Sequence, residues 1–470
     1  MKIVLINPPT AQTIQSVMPK ILEEGLDFLP PLGLMYVAGF LQKETDYEVS
    51  IIDAQVEGFS HEDLKEILRA KKPDVVGMTA MTFTLIDVLE TVKIVKELNP
   101  TTKIILSGPH VAIYPEETIN LPGVDFLVLG EGEKAIKPLL ENLNDKSRLA
   151  QIKGLVFKDG GKTINTGRAD LIENLDEIPF PARHLTPYQK YFSVVSSNKP
   201  VTTMFTSRGC PYKCLFCDRP QLGKNFRARS AKNVVDEMEA CEKMGIKEIF
   251  IYDDTFAVDR QRVLDICQGI KERNLKIAWD IRTRVNTVDE EILKNLKGAN
   301  CQRIHYGVEA GTQKILNVLR KGITLEQAKN AFDLTRKIGI QTAAYFMIGS
   351  PQETKKDILA TIKFMKKINP DYAHVTITTP FPATDLYELA AKEGVIKDDP
   401  WREFAQKPYG EFIPPIWEKE ISRDELFKLL KKAYRSFYFR PNFVLNKISQ
   451  LKSTGEFFNK AKAAFKLLKI

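Results

Sequence analysis

The chain has 470 residues, long enough for two or three domains that each bury a full core. It is 43% hydrophobic and 27% charged, and no apolar run approaches the roughly 20 residues that span a bilayer. The net charge of +8 is uneven: residues 421–470 hold twelve Lys and Arg against three Asp and Glu, leaving the other 420 residues at −1. A nucleic-acid binder would carry its basic footprint on the working domain, so no nucleic-acid partner is expected. Six cysteines, three of them clustered, fit a reducing cytoplasm better than a disulfide scaffold, and the Met1-Lys-Ile-Val-Leu-Ile-Asn-Pro-Pro start is broken too soon by proline for a signal peptide.

Over residues 1–145, five short β-rich runs alternate with helical patterns. The strands are predicted at 2–6, 48–53, 74–78, 103–107 and 125–129, with helices at 32–42, 62–70, 85–97 and 133–143. Near-continuous apolar strands between helices predict an α/β doubly wound parallel sheet, which binds ligands beyond the carboxyl ends of its strands. The loops there carry Asn7, Pro8, Thr79, Gly108, His110, Gly130, Gly132 and Glu133. The glycines among them would let backbone approach a large ligand closely. No Gly-x-Gly-x-x-Gly follows the first strand, so a dinucleotide is not expected.

Residues 146–200 read as a linker with a hairpin at 153–166, turning at Asp159-Gly-Gly, followed by proline punctuation. From residue 201 to about 395 the alternation resumes. Strands are predicted at 201–206, 248–253, 277–282, 303–307, 341–348 and 374–378, with helices at 234–244, 260–273, 289–296, 313–319, 325–338 and 355–368. Six such units suggest a partial parallel βα barrel with its chemistry at the strand carboxyl ends.

After the first of those strands comes Ser-Arg-Gly-Cys210-Pro-Tyr-Lys-Cys214-Leu-Phe216-Cys217-Asp. Three thiolates at Cys-x3-Cys-x2-Cys spacing suit a soft metal, either an iron–sulfur cluster or zinc. Zinc would want a fourth ligand from a paired unit nearby, whereas Cys241 and Cys267 are isolated in helical patterns. With Cys301 these are expected to be buried inert thiols. His305, just before Tyr306 and Glu309, either points into the barrel or is a satisfied core histidine.

The cysteine loop, with Phe216 before its third cysteine, resembles the cluster motif of the radical S-adenosylmethionine (SAM) enzymes. The preceding segment resembles the cobalamin-binding domain found in many of them, of the methyltransferase and anaerobic cyclase type. The pieces that carry this second resemblance are Asn7-Pro-Pro, Pro31-Leu-Gly-Leu, Ser107-Gly-Pro-His110 and Gly130-Glu-Gly-Glu133. It implies a [4Fe-4S] cluster on Cys210, Cys214 and Cys217, with one iron left open for SAM. It also implies SAM contacts from Phe216, Asp253, Asp254, Arg284, Glu309, Gly349 and Pro351, and a cobalamin held by the loops named above. Cobalamin enzymes that ligate cobalt carry Asp-x-His-x-x-Gly after the first strand; here that position reads Asn-Pro-Pro, so a histidine ligand from that motif is not expected.

The implied activity is reductive SAM cleavage, giving a substrate carbon radical and methyl transfer to an unactivated carbon. The alternatives are oxidative cyclisation or rearrangement without methyl delivery, and a non-catalytic cobalamin- or metal-binding sensor. A reductant such as flavodoxin or ferredoxin is implied. Residues 396–470 are expected to form a basic helical extension. Its aromatic run around Tyr434 packs on the barrel or stacks a flat substrate. The amphipathic stretch 456–470 suggests contact with the inner membrane face and a lipid, terpenoid or porphyrin substrate.

Overall fold

The computed structural model describes residues 1–14, 27–218, 224–441 and 443. Seven strands build the first sheet: β1 (Lys2–Asn7), β2 (Glu48–Asp53), β3 (Val75–Thr79), β4 (Lys103–Ser107), β5 (Phe126–Val128), β6 (Leu155–Asp159) and β7 (Lys162–Asn165), in the order β2-β1-β3-β4-β5-β6-β7. The first five are mutually parallel, with Ile6 opposite Ile52 on one side and Met78 on the other. Ile3 to Ile6 are all buried because helices cover both faces, which is what a continuous apolar strand requires. Among those helices are α1 (Leu32–Glu44), α2 (His61–Lys71), α3 (Leu85–Leu98) and α4 (Glu133–Glu141). A capping box between Ser60 and Asp63 starts α2.

The hairpin corrects the expected domain boundary at residue 145. Strand β6 pairs antiparallel with β5, Phe126 opposite Phe157, so the first unit runs on to Asn165. Phe157 and Leu155 are buried in the same core as β1, a gain a free linker would forgo.

The second sheet has six strands: β8 (Val201–Met204), β9 (Glu248–Ile251), β10 (Ala278–Thr283), β11 (Cys301–Glu309), β12 (Gln341–Ile348) and β13 (Tyr372–Ile377). All are parallel and paired in chain order, making an open barrel as expected. Helices α5 (Ala231–Lys243), α6 (Arg260–Glu272), α7 (Glu290–Gly298), α8 (Leu325–Ile338) and α9 (Lys355–Ile368) wrap it. Outward-facing Tyr306, Val308, Phe346 and Val375 are buried under these helices, and so are Cys241, Cys267 and Cys301. The alternate residues Arg282, Tyr345 and His374 face the lumen and keep partial exposure.

The open edge at β13 is closed by α10 (Arg423–Tyr438). Tyr434 Oη accepts from the Val375 N–H (3.1 Å) and donates to its carbonyl (3.0 Å), and Tyr438 Oη does the same at Ala373. Tyr434 and Tyr438 therefore pack on the barrel and protect a sheet edge. Trp401 and Phe404 on the helix Pro400–Gln406 join the core of the first domain instead. The stretch 456–470 lies outside the described residues.

Buried ion pairs lock the two sheets together. Glu131 accepts from Arg227 through both carboxylate oxygens (2.8 and 3.0 Å) and lies 3.3 Å from Arg208 Nη1; Glu133 meets Arg208 Nη2 at 2.5 Å. Replacing Glu131 by Ala would leave the buried Arg227 guanidinium without its carboxylate and Arg208 with Glu133 alone. The expected loss is about 3–5 kcal/mol of unfolding free energy, measured by denaturant titration; Glu131→Gln should lose less.

Candidate active site at the barrel mouth

The cysteine loop leaves β8 at its carboxyl end, the end where a parallel barrel presents its chemistry. Asp253, directly after β9, sets the take-off. Its Oδ1 accepts from the Thr206 and Ser207 N–H groups (2.6 and 3.0 Å), and its Oδ2 from both hydroxyls (2.5 and 2.6 Å). Asp253, expected to contact SAM, spends these acceptor sites on the loop. Asp254 beside it is exposed at the mouth.

Within the loop Cys214 is buried, Cys210 half-buried and Cys217 exposed. The loop is pinned at Leu215, between the second and third cysteines, where the Leu215 N–H donates to the Leu319 carbonyl and the Leu386 N–H to the Leu215 carbonyl (both 2.9 Å). Arg284 follows β10 and donates to Cys214 Sγ at 3.6 Å, with its guanidinium 3.9 Å from the Tyr212 ring centre. It therefore places a positive charge beside the Cys214 sulfur. Thr255 Oγ1 lies 3.8 Å from Cys210 Sγ. Among the described residues no three His, Cys, Asp or Glu side chains converge on one point as ligands of a single ion.

Glu309 ends β11 in a left-handed conformation (φ 72°), just past a register shift at Gly307. A bulge of this kind re-aims a side chain, here into the mouth, and the strained backbone marks a site where geometry outweighs local stability. Its Oε1 accepts from Lys321 Nζ at 2.7 Å, and the same ammonium lies 5.8 Å from the Phe216 ring centre. The sequence analysis missed Lys321, since a lone lysine before a glycine has no spacing signal. Gly307 makes the pair possible: a Cβ there would stand 2.6 Å from Glu309 Oε1 and 2.8 Å from Lys321 Nζ.

Gly349 (φ 75°) and Pro351 form the turn after β12, but Gly349 packs against Leu426 of α10, where a Cβ would come within 2.9 Å. The turn is held by Glu353, whose Oε2 accepts from the Ser350 N–H at 2.9 Å.

The candidate cobalamin loops gather at the carboxyl ends of the parallel strands of the first sheet. Neighbours of β1 lie on opposite sides in chain order, so the sheet reverses between β1 and β3, and Asn7, Pro8 and Thr79 stand at that switch point. Gly130 (φ 90°) is exposed, with nothing within 4 Å of where a Cβ would stand, while Gly132 is half-buried beside it. Gly108 admits Thr79 Cγ2 at 2.8 Å from its missing Cβ. His110 is fully buried; its Nδ1 lies 3.0 Å from Thr82 Oγ1, and its Nε2 has no hydrogen-bond partner among the described residues. Burial lowers His110 to about 4, so the ring is neutral. An open crevice, exposed backbone and an orphaned ring nitrogen fit a large polar cofactor. Two expected contacts are otherwise engaged. Asn7 Nδ2 donates to Asp53 at 2.7 Å, and Glu133 is buried against Arg208, because the barrel covers this side of the crevice.

The Radical SAM superfamily profile matches residues 204–365, and the B12 binding domain profile matches residues 21–140. The chain is 38% identical over 452 residues to an uncharacterized methyltransferase of Pyrococcus horikoshii, covering 95% of both chains. The chain belongs to the radical SAM superfamily. It is also 31% identical to the anaerobic magnesium-protoporphyrin IX monomethyl ester cyclase of Rubrivivax gelatinosus, over 88% of this chain and 75% of that one. Its fold matches the cobalamin-dependent S-adenosylmethionine radical enzyme OxsB (TM-score 0.74, 18% identity, 99% of this chain and 72% of that one). It likewise matches the radical S-adenosylmethionine methyltransferase TsrM from Kitasatospora setae (TM-score 0.69, 18% identity, 85% and 77%). The protein is thus an enzyme of the radical SAM type with a B12-binding domain. A [4Fe-4S] cluster and SAM go with the first assignment and cobalamin with the second. Such enzymes act on small molecules and need a reductant. No helix among the described residues is long and apolar enough to cross a membrane.

The Glu353 carboxyl gives this mouth a pH signature. Burial raises it to about 8 from an ordinary 4.5, outweighing the stabilising Ser350 and Gly349 N–H bonds. The folded chain therefore holds a proton that the unfolded chain releases between about pH 4.5 and 8. This contribution is full below 4.5 and is lost as pH rises towards 8. The wild-type Tm should fall relative to Glu353→Gln across that window, read by thermal scans at stepped pH.

Proposed function

We propose that this protein methylates an unactivated carbon of a small-molecule substrate, using SAM, a [4Fe-4S] cluster and cobalamin. What carries the reading is a single juxtaposition. Arg208, two residues before Cys210, is ion-paired to Glu131 in the loop that follows β5 and to Glu133 at the start of α4, so the cysteine loop and the B12-domain crevice are fixed against each other. When bound, the cluster supplies the electron that splits SAM and cobalamin the methyl group. Cys210, Cys214 and Cys217 hold the cluster by three irons, and Arg284 lowers the cost of adding negative charge beside Cys214. Glu309, carrying the Lys321 charge, would offer its other oxygen to the SAM ribose, with Lys321 available to the SAM carboxylate and exposed Asp254 to the amino group. Gly349 and Pro351 border the adenine. Asn7, Pro8, Thr79, Gly108, His110, Gly130 and Gly132 line the cobalamin crevice. The electron comes from a flavodoxin- or ferredoxin-like protein, and residues 456–470 give the enzyme peripheral membrane contact.

The cyclase relative supports a second reading, oxidative cyclisation without methyl delivery. Product analysis on anaerobically reconstituted enzyme separates the two. S-adenosylhomocysteine with a methylated product supports transfer, and 5′-deoxyadenosine alone supports cyclisation. Replacing all three motif cysteines by Ala should abolish both the cluster absorbance and SAM cleavage; persistence of cleavage refutes the proposal. Gly307→Ala should displace the Glu309–Lys321 pair and weaken SAM binding about tenfold, as loss of one charge-assisted hydrogen bond would. Equilibrium dialysis with labelled SAM checks it.

A further inference from the structure

Below the cysteine loop the barrel lumen is polar, and nothing in the reading above uses it. Side chains two apart on a strand share a face, so Arg284, Arg282 and Asp280 descend from the cluster ligand into the lumen in steps of about 6–7 Å. Arg284 meets Cys214, while Asp280 lies two rungs below and is fully buried. Asp280 Oδ2 accepts from Arg303 Nη1 (3.1 Å) and from His305 Nε2 (3.0 Å); its Oδ1 has no hydrogen-bond partner among the described residues. On the far side, His305 Nδ1 lies 2.8 Å from the Tyr345 hydroxyl, with the rings stacked at 5.9 Å.

The donor directions follow from the partners. Asp280 holds the His305 proton on Nε2, so Nδ1 is an acceptor and the Tyr345 O–H must donate to it. Burial, helped by Arg282 and Arg303, keeps His305 below its ordinary range despite Asp280, consistent with a neutral ring. Tyr345 then turns oxygen lone pairs to the lumen, where it keeps partial exposure. Arg282 is the complementary group. Its Nη1 donates to the Ile251 carbonyl at 3.0 Å and its guanidinium carbon lies 3.7 Å from the Tyr252 ring centre, yet it makes no ion pair among the described residues. Glu248 and Asp280, the nearby acids, are both taken by Arg303.

We propose that this lumen is the substrate pocket, and that it takes the oxyanion end of a substrate that also carries a hydroxyl or amino donor. Arg282 holds the oxyanion, the Tyr252 ring backs it, and the Tyr345 oxygen accepts from the donor. Asp280 and His305 are positioning residues that set the Tyr345 hydroxyl. The proposal rests on the functional reading only for what is done to the bound molecule.

The test is calorimetric binding to the reconstituted full-length enzyme, with 4-hydroxybenzoate, benzoate, phenyl phosphate and neutral methyl 4-hydroxybenzoate as probes. Saturable binding of 4-hydroxybenzoate is expected, with the neutral ester at least about tenfold weaker. Benzoate against phenyl phosphate ranks carboxylate and phosphoryl ends. Arg282→Gln should lose at least about tenfold, and Arg282→Lys should keep part of the affinity. Tyr345→Phe should weaken 4-hydroxybenzoate and leave benzoate unchanged, a split that a merely structural role would not produce. Should Arg282→Gln fail to fold, Arg282→Lys alone carries the test, and unchanged affinity there overturns the proposal. Equal binding of ester and acid, or no saturable anion binding up to millimolar concentration, also overturns it. Binding is scored apart from 5′-deoxyadenosine formation, so an enzyme that binds anions without cleaving SAM defeats the functional reading and spares the pocket.

Discussion

The buried ion pairs of Glu131 and Glu133 with Arg208 and Arg227 are the constraint on which the rest of the molecule depends. All four side chains are at most 8% exposed. Charges so far from water are stable only in mutual contact, because separating them leaves each with its full desolvation penalty. Glu131 belongs to the loop beyond β5 and Glu133 to the first turn of α4, while the guanidiniums flank the cysteine loop at positions 208 and 227. The two sheets therefore cannot turn against each other without stranding charge, and the two cofactor sites inherit that rigidity.

Around this clamp the mouth is built from groups that spend their hydrogen bonds on geometry. Asp253 gathers two backbone N–H groups and two hydroxyls and so orients the chain entering the cysteine loop. Arg262 extends the same scaffold, donating to the Thr206 and Arg229 carbonyls at 2.7 and 2.8 Å. At Glu309 a left-handed residue is tolerated because Gly307 clears room for its carboxylate and the Lys321 ammonium. A barrel that buries aliphatic side chains under its helices is free to turn polar ones inward, which is how the lumen comes to hold Arg282, His305 and Tyr345 beneath the cysteines.

Much of this was readable from local pattern. The strands Glu48–Asp53, Lys103–Ser107 and Gln341–Ile348 and the helices Leu325–Ile338 and Lys355–Ile368 match expectation to the residue. Their ends are written in short-range chemistry: Thr324 and Thr354 each close a capping box, and Gly339 takes a left-handed φ at a helix end. The hairpin was legible as a hairpin but not as part of the first sheet, since its partner β5 lies beyond a helix and a loop.

The sequence by itself determined the chemistry: three cysteines at a spacing suited to a cluster, after the first strand of a parallel barrel, behind a doubly wound sheet. Ligand spacing and hydrophobic period are local properties, written in neighbouring residues. Roles that depend on long-range partners waited for the tertiary structure. The partners of Asp253 and Glu133, which are Thr206, Ser207 and Arg208, are set by tertiary contact and not by any local spacing. Lys321 gained meaning only when a bulge twelve residues earlier turned Glu309 towards it. The Arg282, His305 and Tyr345 set comes from three different strands, and only closure of the sheet into a barrel brings them to one lumen.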